Sequence, residues 1–237
     1  MAFDPASVIE HIRSIDLFEG IDQDLLISII NDSVQESFPA DHIIFFQGDP
    51  ADKFYFLAKG RIKLSQVTLD GDQVVLRYLK PGDAFGIIAV LREIAFPVAA
   101  QVVEDCQVLV WDQESISRWI RQEPQIGINS IRLLADYILE FQKRIQELST
   151  EKAERRIARA LLRLAKQTGS KTPLGVLLGI KFTRQDIAEM TGTSMYTVSR
   201  MMSRWEEDEL ISSQNGLILI SAPHQLAQLA EDFPADD

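Results

Sequence analysis

Between Phe38 and Asp112 the chain is a succession of short β-branched and aromatic runs, each cut off by a turn signal. The runs are HIIFFQGD, KFYFLAKGRIKLSQV, QVVLRYLKPGD and CQVLVWD, and the cuts are Gly-Asp, Lys-Gly, Asp-Gly and Pro-Gly-Asp. Closely spaced strands with tight turns predict an antiparallel barrel or jelly-roll-like β-roll. Asp70-Gly71 is a strong hairpin signal, because glycine takes φ > 0 without steric cost. Before this region, residues 3–34 read as helical, with Ile9, Ile12, Ile15 and Leu17, then Leu25, Leu26, Ile29 and Ile30, at helical spacings. After it, near Gln113, helical spacing returns. The expected fold class is α+β.

Pro124 is placed to open or kink the next helix. Beyond it Ile131, Leu134, Ile138, Phe141, Ile145 and Leu148 recur at alternating spacings of three and four. That is a heptad seam of the kind that pairs two helices, and equally one face of a helix buried on its own domain. The seam is short for a free coiled coil, but sufficient where the rest of a domain also holds two chains together. Ile157, Ala160, Leu161, Leu164 and Ala165 mark another amphipathic helix from Ala153 to Lys166, which Gly169 ends. The chain is expected to divide into 1–123, 124–150 and 151–237, ending in a frayed tail, EDFPADD.

The stretch FTRQDIAEMTGTSMYTVSRMMSRW, 182–205, is helically spaced yet cut in half by Gly192. Thr183 with Asp186 forms a capping-box pattern that starts the first half. Gly192 supplies the left-handed residue that stops it. Ser194 is placed to cap the second half. Val198, Met201, Met202 and Trp205 then form an inner face, leaving Met195, Tyr196, Ser199, Arg200 and Ser203 outside. Two helices joined by a tight glycine turn form either a helix-turn-helix, whose second helix can enter a major groove, or an ordinary helical hairpin inside an unrelated core. The outward hydroxyls suit phosphates, and the arginine fork suits guanine O6 and N7. LISSQNGLILI follows, and Asn215-Gly216 inside it is a type I′ hairpin signal, which makes the arrangement winged.

The formal net charge of −11 argues against nucleic acid until its distribution is read. Residues 151–205 hold eleven Lys/Arg against four Asp/Glu, whereas 206–237 hold eight Asp/Glu and no Lys/Arg. A basic block therefore sits between acidic ones, either as a DNA footprint or as a solvated helix face. Local attraction with global repulsion predicts steep salt dependence of DNA binding. Apolar runs are too short to span a bilayer and the N-terminus is acidic, so a cytoplasmic location without membrane contact is expected. The single cysteine, Cys106, excludes a disulfide framework and disfavours an iron–sulfur cluster. No nucleophile–base pair, metal-ligand cluster or phosphate-cradling glycine loop is present, so neither catalytic nor metal-binding residues are assigned and the chain is not read as an enzyme.

RIARALLRLAKQTG followed by FTRQDIAEMTGTSMYTVSRMMSRWEEDELI, with FFQGDPADKFYFLAKGRIKL and YLKPGDAFG before them, resembles the Crp/Fnr family of bacterial transcription regulators. The resemblance covers nearly the whole chain. It implies a cyclic-nucleotide-binding-type β-roll sensor over 1–123, a dimerisation helix over 124–150 and a winged helix-turn-helix over 151–237. It also implies a homodimer on a palindromic site in double-stranded DNA, with RNA polymerase as a further partner. Carried over residue by residue, Ser194 and Thr197 contact phosphate or the helix start, Arg200 reads guanine and Arg184 faces the backbone. The family's base-reading glutamate is here Tyr196, so the family's usual half-sites are not assumed.

The sensor departs further. Cyclic-AMP-binding members carry a glycine–glutamate pair for the ribose and an arginine–serine pair for the phosphate. Here Gly86 is present, Ile87 or Ile88 stands where glutamate would be, and Pro97-Val98 or Val98-Ala99 stands where arginine–serine would be. A buried phosphate would lack its cation, unless Arg92 substituted, so cyclic AMP is disfavoured. Gly86, Ile87, Ile88, Phe96, Pro97 and Val98 are the candidate effector lining, suited to an apolar ligand or to a collapsed core. Haem is left open, with His11, His42 and Cys106 as ligand candidates, and the cofactor is unassigned. A small-molecule-sensing module without DNA binding is the alternative function.

Overall fold

The computed structural model describes residue 12 and residues 15–69, 71 and 73–230. The protein is α+β and divides into two compact units, one of residues 1–72 with 79–141, the other of 73–78 with 142–237. The division falls inside the long helix, between Phe141 and Gln142.

In the first unit a 3-10 turn, Asp16–Phe18, precedes helix α1, Gln23–Asn31, capped by Asp22 accepting from the Asp24 amide at 2.9 Å. From Ile15 on, the region read as helical over 3–34 holds a 3-10 turn and α1, and its N-terminal portion, like the expected frayed tail, lies outside the described residues. The chain is already extended at Val34. Six strands follow along the chain, β1 Val34–Phe38, β2 Ile43–Phe45, β3 Lys53–Val67, β4 Gln73–Leu79, β5 Ala84–Phe85 and β6 Ala99–Asp112, of which β4 falls almost wholly in the second unit. They form one sheet in the order β1-β6-β3-β4, with β2 on β6 and β5 on β3.

The long antiparallel ladder of β3 with β6 runs from Lys53 opposite Asp112 to Ser65 opposite Ala99, and its register shifts between Leu57 and Ile62. Such shifts bend a strand and let one pair serve two faces. Gly60, φ +91°, lies in the shifted segment, and a Cβ there would come 2.5 Å from the Asp105 carbonyl oxygen. Side-chain alternation divides the core accordingly. Phe54, Phe56, Leu109 and Trp111 face one cluster, with Leu17, Leu26, Ile29 and Trp119. Tyr55, Leu57, Val108 and Val110 face another, with Phe45, Ile62, Phe85 and Phe96. The buried Trp111 indole donates to the Ile29 carbonyl at 2.7 Å.

Three helices continue the first unit. Helix α2 is Ile87–Arg92 and α3 is Gln113–Gln122, the latter capped by Asp112 accepting from the Ser115 amide at 2.8 Å. These hydrogen bonds to Ser115 hold the Asp112 carboxyl below the usual carboxylate range. Helix α4, Pro124–Thr150, opens on its proline. Its buried Asn129 donates to the carbonyls of Leu17 and Glu19 at 3.1 and 2.8 Å.

In the second unit, α5 is Ala153–Thr168, its Ile157, Ala160, Leu161 and Leu164 buried. The segment after Gly169 is a hairpin of β7 Gly169–Thr172 and β8 Gly175–Leu178. Helices α6 Arg184–Thr191 and α7 Met195–Glu207 follow, then β9 Ile211–Gln214, β10 Leu217–Ile220 and α8 Pro223–Ala230. The four strands form a sheet in the order β7-β8-β10-β9. Among the described residues no helix is long and apolar enough to cross a membrane.

Gly60→Ala tests the bend. Left-handed φ and backbone overlap together should cost at least about 2 kcal/mol in denaturant unfolding. A loss below about 0.5 kcal/mol would show that no side chain is excluded there.

Candidate nucleic-acid interface

The α6–turn–α7 pair is built by three local devices. Thr183 Oγ1 accepts from the Asp186 amide at 3.0 Å, and the Asp186 carboxylate accepts from the Thr183 amide at 2.8 Å. That reciprocal box satisfies two otherwise orphaned donors. Gly192 then adopts φ +58°, ψ +44°, closing α6 with its N–H on the Ala188 carbonyl. Ser194 Oγ accepts from the Thr197 amide at 3.2 Å and starts α7.

Helix α7 is two-sided. Val198, Met202 and Trp205 are essentially inaccessible to solvent, and Met201 is half-buried. On the other side Ser194, Met195, Tyr196, Arg200 and Ser203 are exposed, while Thr197 and Ser199 are half-buried. Tyr196 is 74% exposed, although an aromatic ring ordinarily gains by burial. Asn215, φ +53°, and Gly216, φ +81°, make the tight turn of the β9–β10 wing.

Arg184 is placed differently from the expectation of a backbone contact. Its guanidinium lies 3.1 Å from a Glu206 carboxylate oxygen, 3.0 Å from the Met202 sulfur and 3.5 Å from the Ser213 hydroxyl. It ties the start of α6 to the end of α7 and to the wing. The basic block is likewise partly spent inside the fold. Arg163 pairs with Glu147 at 2.6 Å, Arg159 with Glu151 at 3.1 Å, and Arg156 donates to the carbonyls of Leu148 and Gly192 at 3.1 and 3.4 Å. Only part of the block therefore faces outward as a footprint. These structural roles were missed in the sequence, where Glu147, Glu151, Arg155, Arg159 and Arg163 show only as a four-residue charge rhythm.

The seam residues of α4 lie mostly in solvent. Ile131, Ile138, Phe141, Ile145 and Leu148 are exposed, at 43 to 68%, and Leu134 is half-buried. A face packed on its own domain would be covered, whereas five of these six residues are exposed.

The six candidate effector residues are not brought together around one space. Ile87 belongs to the Trp111 cluster, Phe96 and Val98 to the Phe45 cluster, and Ile88 and Pro97 are exposed. Phe96 stacks on Phe45 with ring centres 3.7 Å apart, and Phe45 in turn touches the Tyr55 and Phe85 rings. Gly86, φ +83°, leaves room for that packing: a Cβ there would meet the Phe96 ring at 3.3 Å. Arg92 is exposed at the end of α2. Of the haem-ligand candidates, His11 lies outside the described residues. His42 is exposed and stacks on Phe38 at 4.8 Å, and Cys106 is buried. Burial pushes the Cys106 thiol up to about 11, against a smaller lowering by a hydrogen bond with the Phe38 backbone. A thiol reagent at neutral pH should therefore leave Cys106 unlabelled in the native protein and label it fully in denaturant. Rapid native labelling would place the thiol at the surface.

Known proteins match this geometry in both halves. Residues 35–123 match the cyclic nucleotide-binding domain family, and residues 155–229 match the Crp-like helix-turn-helix domain family. The chain is 31% identical over 217 residues to the cyclic AMP receptor protein of Thermus thermophilus, covering 90% of this chain and 96% of that relative. It is 29% identical to the global nitrogen regulator of Synechocystis, over 82% of this chain and 88% of the relative. In fold it resembles FixK2 from Bradyrhizobium japonicum, with a TM-score of 0.74 at 20% identity, over 85% of this chain and 99% of that one. The two-sided α7, its cap and its wing are thus those of a DNA-binding transcription regulator and not of an enzyme, and the chain belongs to the Crp/Fnr family.

Proposed function

We propose that two copies of the chain pair along α4 and read a palindromic site in double-stranded DNA with one α7 each. The observation that carries this reading is the two-sidedness of α7, buried through Val198, Met202 and Trp205 and presenting Arg200 to solvent. Support for pairing comes from the exposed α4 stripe, whose apolar area gains about 25 cal/mol per Å² when removed from water. A second copy offers the same stripe, as an isologous contact requires. The alternative of a sensing module without DNA binding leaves the capped, outward-facing polar helix start unexplained.

Each side chain then has a task. The hydroxyls of Ser194 and Thr197 lie at the α7 N-terminus, where amides and helix dipole favour a phosphate. Arg200 forks onto guanine O6 and N7. Tyr196 replaces the family's glutamate, so that a carboxylate accepting from cytosine N4 gives way to a ring that packs on a thymine methyl, with Met195 beside it. Ser199 adds a hydroxyl on the same face. Arg184 acts from within, holding α7 at its far end.

Cyclic AMP is not the effector in this reading. The cation and hydroxyl its phosphate needs are replaced by Pro97-Val98 or Val98-Ala99, none of them charged or hydroxylated, and Phe96 stacks on Phe45. A buried anion without partners is too costly to bind. Any signal acts by favouring one dimer geometry over another. The regulator works in the cytoplasm, and RNA polymerase is its further partner by family resemblance.

Two substitutions test the reading on duplexes selected from random DNA. Arg200→Ala should weaken binding by about tenfold to a hundredfold, with the preference for guanine lost at one position. Unchanged affinity would remove Arg200 from the interface. Tyr196→Glu should change the selected base opposite residue 196, and identical selected sites for the two proteins would end the role given to Tyr196.

A further inference from the structure

The last two turns of α4 are held to α5, to α6 and to the turn after α6 through four arginines. Glu147 is 5% exposed, and its carboxylate lies 2.6 Å from Arg163 and 4.0 Å from Arg159 on α5. Arg159 also reaches Glu151 at 3.1 Å. Arg156 donates to the Leu148 carbonyl at the end of α4 and to the Gly192 carbonyl in the turn between α6 and α7. Arg144 donates to the Met190 carbonyl in the last turn of α6 at 2.8 Å. Leu148 completes the contact, since a Cβ on Gly192 would meet its side chain at 3.2 Å.

Only Glu151 and Lys152 separate α4 from α5. A two-residue joint leaves the direction of α5 free to vary unless side chains fix it. Most ion pairs at a protein surface contribute little, because water screens them. Glu147 is different, because its carboxylate is withdrawn from water and faces two arginines. Removing its charge leaves Arg163 without its carboxylate at a shielded site, while Arg159 keeps Glu151. The network therefore resists reorientation of the joint more than an exposed pair would.

We propose that Glu147 is a positioning residue for DNA recognition, one that sets the angle between the pairing helix and α7 and thereby the half-site spacing the dimer accepts. The inference rests on the reading of the chain as a dimer on a palindromic site. Recognition helices one DNA turn apart tolerate little error, because each base pair added or removed rotates one half-site relative to the other. Glu147 touches no base. Its effect is seen in spacing and not in base preference.

The test uses the full chain and duplexes carrying two half-sites, selected from random DNA by the wild-type protein, with the spacer changed one base pair at a time. A duplex with a single half-site is the control. Wild type is expected to prefer one spacing sharply. Glu147→Gln, which keeps the side-chain volume, should flatten that preference by about tenfold while single-half-site binding and base preference stay as in wild type. Arg159→Gln, which removes the side chain bridging Glu147 and Glu151, should flatten it in the same direction and serves where Glu147→Gln does not fold. An unchanged spacing profile in a folded variant would overturn the proposal. So would a parallel loss of single-half-site and paired binding, which marks a purely structural role. A wild-type profile flat across all spacings would instead overturn the palindromic reading, and this inference with it.

Discussion

A recognition helix must be rigid on one side and polar on the other, and every other feature of the DNA-binding unit follows from that constraint. Thirteen residues of α7 are too few to hold a helix in water alone. Burial of Val198, Met202 and Trp205 supplies the rigidity, and the Ser194 cap supplies the start. The wing and Arg184 close off the far end. With the inner face fixed, the outward direction of Tyr196 and Arg200 is settled by the 100° step of the helix.

Much of this was legible in the residues. Thr183, Asp186, Gly192, Ser194 and Asn215-Gly216 each impose a local geometry that depends on few neighbours, and each is found in that geometry. Lys59-Gly60, by contrast, reads as a turn but lies inside the continuous strand β3. What failed was the text between such signals. Val34–Phe38, VQESF, carries few apolar residues and becomes a strand only because β6 offers its edge. The helical spacing of Ile29 and Ile30 leads up to it without marking where it begins.

Charges were the least legible feature. In sequence, 155–163 is a basic run that suits DNA. In the fold, Arg159 and Arg163 lie against Glu147 and Glu151, and Arg156 against two carbonyls. Periodicity gives the face of a helix but not the charge brought up to it by another helix. Arg184 illustrates the same limit, because its partner Glu206 lies 22 residues away. The effector lining had the opposite difficulty. Six apolar residues close in sequence were grouped, whereas the loop before β6 carries Phe96 to Phe45 and the start of α2 sends Ile87 toward Trp111.

The central claim is that the Arg200 guanidinium meets a guanine edge in the major groove. Replacing that guanine by 7-deazaguanine removes N7 and leaves Watson–Crick pairing intact. The affinities of wild type and Arg200→Ala for the parent and the 7-deaza duplex test the claim as a thermodynamic cycle. The 7-deaza duplex should bind wild type about tenfold more weakly and bind Arg200→Ala no more weakly than the parent does. An equal loss in both proteins, or no loss in either, would contradict it.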